Sequence, residues 1–163
     1  MNEIFKRRSI RKYQDKAIEE EKIKLLLKAA MAAPSARNTQ PWEFYVIQDK
    51  EMIKELARVN QHYAFAENAP LIIIPCFRLD PERYEFNLID TSNATENLLL
   101  EATSLGLGAC WCAIEPRLDR IEGVEKIINI KEGLRAFALV PIGYPLEEKE
   151  GHDILEEDRV HYL

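Results

Sequence analysis

Residues 71–77 read LIIIPCF, an unbroken apolar run with no polar alternation. A strand with one wetted face alternates apolar and polar side chains, so a run of this kind belongs to a strand covered on both faces. The chain must therefore build a central sheet with helices on either side, and its neighbouring segments supply them. Residues 18–33 predict a helix: Ile23, Leu26, Leu27 and Ala30 share one face, Glu19, Glu20 and Glu21 sit at its positive end, and Pro34 stops it. Further helices are expected over about 50–60, 90–105 and 118–130, the one over 90–105 ending at Gly106 and Gly108. Strands are expected over 43–48, in the GACWCAI stretch and over 135–144. Residues 80–86 read as a polar break, and the tail from Pro145 is charged and unpatterned until VHYL. No repeat or linker divides the chain, which predicts one domain over 1–163. The expected class is α+β (mixed α/β), one central sheet flanked by helices.

Composition narrows the function classes. With 47% hydrophobic and 31% charged residues, 6 Gly and 8 Pro, the chain is neither disordered nor collagen-like. A formal net charge of −6 argues against a wholesale nucleic-acid binder and leaves room only for a local basic site. The 3 cysteines are an odd count, and Cys110 and Cys112 flank Trp111 without a second Cys/His pair at zinc spacing. They read as reduced packing thiols, which suits a cytoplasmic protein without metal. The N-terminal stretch is charged, unlike a signal peptide, and residues 69–77 are too short an apolar run to span a bilayer.

Three segments could carry chemistry. Residues 6–12, KRRSIRK, place five cations in seven positions of an acidic chain. Guanidinium forks match phosphate oxygens and the Ser hydroxyl adds a donor, although a solvated basic run gives the same pattern. Residues 33–42, APSARNTQPW, join two prolines to Ser, Asn and Gln, whose amides can read a heterocycle edge; a plain helix-to-strand turn favours the same residues. Residues 105–111, LGLGACW, offer glycines that permit close backbone approach, or simply a helix C-cap. No nucleophile elbow, Walker loop or metal cluster is visible, so redox or group-transfer chemistry would come from a bound cofactor.

Taken in order, RRSIRKY, APSARNTQPWEF, NAPLIII, the DTSNATENLLLEATSLGLGACW helix and PIGYP resemble the FMN-dependent nitroreductase family. The resemblance implies a mixed central sheet wrapped by helices, an intertwined homodimer, and FMN at the subunit interface. It implies that Arg7, Arg8, Ser9 and Arg11 bind the cofactor, the arginines at its phosphate and Arg11 toward the ribityl or pyrimidine end. Pro34, Ser35, Asn38 and Gln40 match the motif addressing the flavin ring and sugar chain, partly from the other subunit. Leu107, Gly108 and Ala109 match the segment whose backbone passes the isoalloxazine. The implied activity is ping-pong hydride transfer from NAD(P)H through FMN to a nitroaromatic, quinone or similar small acceptor, with no catalytic side chain required. The same resemblance also admits a flavin-storage protein with little turnover, a reductive dehalogenase, a flavin-degrading relative, or an interaction module without flavin.

Three departures from the family pattern bear on the site. The stretch 70–90 is compact where many members insert capping helices, which predicts an open site. The tail is short. Ile154 stands where many relatives place a basic residue, leaving Arg159, or secondarily Lys149, to complete the phosphate site.

Overall fold

The computed structural model describes residues 2–163. Helices α1 (Glu3–Lys6), α2 (Glu20–Met31), α3 (Lys50–Arg58), α4 (Tyr84–Ser104) and α5 (Leu118–Ile128) accompany strands β1 (Trp42–Ile47), β2 (Leu71–Arg78), β3 (Gly108–Ala109), β4 (Cys112–Ala113), β5 (Leu134–Ala136) and β6 (Ala138–Gly143). The sheet runs β1-β2-β6-β3, with β5 continuing beside β2 and β4 beside β6. All these ladders are antiparallel; a parallel element enters through the bridge Ser9–Ala109.

β2 is buried on both faces, as its apolar run requires. Leu71, Ile73 and Phe77 face a core built with α2 and α4, whereas Ile72, Ile74 and Cys76 face a second core built with α3 and α5. Successive strand side chains point to opposite faces, so one strand feeds both cores. The expected strand over 135–144 is broken at Phe137, whose N–H donates to the Pro75 carbonyl at 2.9 Å and whose carbonyl accepts from Ile114 and Glu115. Pro75, unable to donate to a ladder, sits where β2 passes from β6 to β5. GACWCAI is likewise two short strands, with Trp111 turned onto Phe137 at 5.3 Å. Cys76, Cys110 and Cys112 are buried and unbridged. Among the described residues no helix is long and apolar enough to cross a membrane.

α4 departs most from expectation. It begins at Tyr84 rather than near 90, taking in the end of the stretch that reads as a polar break. Its first turns bury Asn87, Asp90 and Thr91, polar side chains that hide the helical period from a reading based on apolar spacing. The pay-off is positional: Asp90 meets the loop that precedes β1, and Asn87 Nδ2 donates to the Arg78 carbonyl at the end of β2 at 2.9 Å.

Candidate functional site

The first candidate segment leaves α1 and docks along β3. Ile10 N–H donates to the Ala109 carbonyl at 3.0 Å, beside the Ser9–Ala109 bridge. Gly108 makes this possible: a Cβ there would stand 2.7 Å from the Ile10 side chain. The close approach expected at this glycine is thus made by the chain's own N-terminal segment. Leu107 and Ala109 are buried, and the segment they form seats residues 9–10.

The chain beyond β6 closes the other side. Glu147 accepts the Arg11 N–H at 2.6 Å, and Lys149 Nζ donates to the Ser9 carbonyl at 2.6 Å while standing 3.3 Å from Glu147. The Arg11 N–H, followed by Lys149, holds the Glu147 carboxyl below its ordinary 4.5. Arg7, Arg8, Ser9, Arg11 and Lys149 together line a concavity of about 320 Å³. Arg7 Nε lies 3.3 Å from Glu96. The half-buried Arg8 guanidinium has no carboxylate or hydrogen-bond partner among the described residues. A hydrogen bond from Cys112, aided to a lesser degree by the Arg11 charge, pulls the buried Cys110 thiol below its ordinary range. Arg159 does not line this concavity within its own chain: it occupies an exposed 3₁₀ turn, paired with Glu156 at 2.7 Å, whereas Lys149 does line it.

The second candidate segment is a strained loop. Arg37, Asn38 and Gln40 have φ of 56°, 55° and 44°, a left-handed conformation that costs on the order of 1–3 kcal/mol at each non-glycine residue. Charged side chains hold it there. Ala36 N–H donates to both Asp90 carboxylate oxygens at 3.0 and 3.1 Å, and Arg78 Nη2 donates to the Thr39 and Gln40 carbonyls at 2.6 and 2.9 Å. Arg83 Nη2 reaches the Ala36 carbonyl at 3.3 Å. Within the loop, Gln40 N–H donates to Ser35 Oγ at 3.0 Å and Gln40 Nε2 to Asn38 Oδ1 at 3.2 Å. Pro34, Asn38 and Gln40 are exposed and Ser35 half-buried, so this display faces outward. Asp90, Arg78 and Arg83 were not among the candidates read from sequence; a carboxylate on the inward face of an amphipathic helix was the available signal.

The two displays do not meet within one chain. Among the described residues no hydrogen bond or ion pair joins 34–40 to 7–11, 107–109 or Lys149. They engage α4 at Asp90 and Glu96, six positions apart, which is about 9 Å along the axis and about 120° around it.

The model of the nitroreductase family matches residues 4–62 and 57–144. The chain belongs to the nitroreductase family. A relative from Methanothermobacter thermautotrophicus, which carries the provisional name NADH dehydrogenase/NAD(P)H nitroreductase, is 42% identical over 97% of this chain and 83% of its own. A solved FMN-dependent nitroreductase from Clostridium difficile R20291 superposes with a TM-score of 0.91 at 33% identity, covering 99% of this chain and 97% of the other. More distantly, an iodotyrosine deiodinase from Haliscomenobacter hydrossis is 26% identical over 94% of this chain and 82% of its own. Within the nitroreductase family, then, the fold of this chain brings residues 6–12 and 105–111 together while holding 33–42 apart.

Proposed function

We propose that the protein is an FMN-dependent NAD(P)H oxidoreductase working as a homodimer, with each FMN held by the basic cradle of one chain and the 34–40 loop of the other. The observation that carries this is Arg8, a half-buried cation with no partner among the described residues, in a concavity that also gathers Arg7, Ser9, Arg11 and Lys149. That donor set fits a phosphate monoester: planar forks and an ammonium for its charge, a hydroxyl beside them, and no uncompensated carboxylate at Arg8. Bound FMN supplies the two-electron chemistry, accepting a hydride from NAD(P)H and passing the electrons to an oxidised acceptor.

The protein's part is binding and orientation. Arg7, Arg8 and Lys149 fix the phosphate end, and Arg11, braced over the Phe65 ring at 5.7 Å, stands at the next step along the segment, where its charge favours an electron-rich ring. Ser35, Asn38 and Gln40 offer donors and acceptors to the ring and sugar chain of the partner's cofactor. Dimerisation has surface available: Phe86 and Ile89 on α4 are 54% and 55% exposed. The tail exposes the apolar side chains of Ile154, Leu155, Val160, Tyr162 and Leu163.

The acceptor class is a small nitroaromatic or quinone, and the deiodinase-named relative adds a halophenol to the compounds worth trying. The test is the visible spectrum of the purified protein after FMN addition and gel filtration, followed by steady-state NAD(P)H oxidation with each acceptor. Flavin bands co-eluting with a dimer, and acceptor-dependent turnover, are expected. Protein that retains no flavin contradicts the cofactor assignment, and flavin without turnover leaves a flavin-storage protein.

A further inference from the structure

A second concavity, about 830 Å³, opens between the first turns of α3, the segment 11–17 and the entry to β2. It shares Arg11 with the cradle, so the two are contiguous. We propose that this cleft receives the adenylate half of the nicotinamide dinucleotide, an inference that rests on the donor role assigned above.

Three properties of the lining point to that ligand. Charge comes first. Arg11, Lys12, Lys50 and Lys54 bring four cations to a chain whose net charge is −6, against the carboxylates of Asp15 and Glu67. The Asp15 side chain is 99% exposed and 3.9 Å from an 82% exposed Lys50, and Lys54 is tied to Glu51 in a surface pair at 2.7 Å. Exposed pairs of this kind are worth little and yield readily to a phosphate. Next, Gln48 and Asn68 bring two primary amides to the same rim. A primary amide pairs with adenine through one donor and one acceptor, matching the N6 amino group and a ring nitrogen. Finally, Ile53, Pro70 and Leu146 give an apolar floor on which a base can rest. The volume lies within the range of about 300–1,000 Å³ usual for small-molecule sites. Inorganic anions would use only the cations; cations, amides and an apolar floor together describe a nucleotide. NADPH, with one phosphate more than NADH, gains more from the lysines.

The test uses the FMN-loaded full chain and the K50E/K54E variant, changes at exposed positions outside both displays of the flavin site. In the wild type, adenosine 2′,5′-bisphosphate binds by calorimetry and competes with NADPH. In the variant its affinity falls about tenfold or more, on the scale of about 1.4 kcal/mol per decade. The KM for NADPH rises by a similar factor and that for NADH by less. The KM for reduced nicotinamide mononucleotide, which lacks the adenylate, stays unchanged, as do kcat and FMN affinity. The proposal is overturned if the bisphosphate does not bind the wild type, if NADPH KM is the same in both proteins, or if the mononucleotide KM moves in step with that of NADPH. Failure of the oxidoreductase reading looks different: the wild type then turns over no donor. In that case, bisphosphate binding that the variant abolishes still supports the cleft as an adenylate site, and binding that survives the variant overturns it.

Discussion

The two halves of the flavin site are built in opposite ways. The cradle is relaxed backbone bearing charge: residues 9–10 lie along β3, and Arg7, Arg8 and Lys149 reach into a shared concavity. The loop is strained backbone bearing neutral groups, with three left-handed non-glycine residues held by Asp90, Arg78 and Arg83. A phosphate is recognised by charge, which acts over several ångströms and tolerates side-chain motion. A ring edge is recognised by directional hydrogen bonds, which need groups fixed in place, and a clasped loop fixes them. Damage to the cradle should therefore appear in cofactor affinity with the fold intact. Damage to the clasp should appear in both affinity and stability.

The largest effect is expected from Arg7→Ala/Arg8→Ala. Hydrogen bonds to charged groups are worth roughly 1.5–3 kcal/mol each, so FMN affinity measured by fluorescence titration should fall a hundredfold or more, with Tm almost unmoved. An equal fall in Tm would show that these arginines serve the fold instead. Asp90→Ala should come next, costing about 1.5–3 kcal/mol in urea unfolding and weakening FMN together, because the Ala36 N–H loses its acceptor. Weaker FMN with unchanged stability would mean that the loop holds its shape without the clasp. Gly108→Ala tests the docking of the cradle: its Cβ must displace Ile10, a cost of roughly 1–3 kcal/mol, and FMN affinity should drop as residues 7–11 shift.

The tail sharpens the comparison. Lys149→Ala should weaken FMN about tenfold, in line with one charge-assisted contact, whereas Arg159→Ala should leave it unchanged. The smallest effect is on pH. Glu147 has a lowered folded pKa, so its contribution is complete above the ordinary 4.5 and is lost as pH falls through the lowered value. The stability difference between wild type and Glu147→Gln should be constant above about pH 5 and shrink below it. A difference growing toward acid would reverse the assignment.

Much of this architecture was legible in the chain. The apolar run of β2 implied helices on both faces, and the spacing of Ile23, Leu26 and Ala30 placed α2. What could not be read were features decided by contacts distant in sequence. The start of α4 was hidden because Asn87, Asp90 and Thr91 are inward polar groups; Asp90 is explicable only once the 34–40 loop lies against it, and Asn87 once the end of β2 does. Gly108 looked like room for a ligand, yet its space is filled by Ile10, nearly a hundred residues away. As letters Arg159 stood ahead of Lys149, and it is the Lys149–Ser9 and Glu147–Arg11 contacts, distant in sequence, that bring Lys149 into the concavity.

Sharing of each FMN between two chains can be tested by complementation. A cradle variant, Arg7→Ala/Arg8→Ala, and a loop variant, Asn38→Ala/Asp90→Ala, are each unable to hold FMN tightly. Unfolded together in equal amounts and refolded, they form mixed dimers in which one site joins the intact cradle of one chain to the intact loop of the other. Tight FMN binding should then return at about one site in four, as random pairing requires. If both displays serve the same chain's cofactor, every site keeps a defect, and the mixture will bind no more FMN than either variant alone.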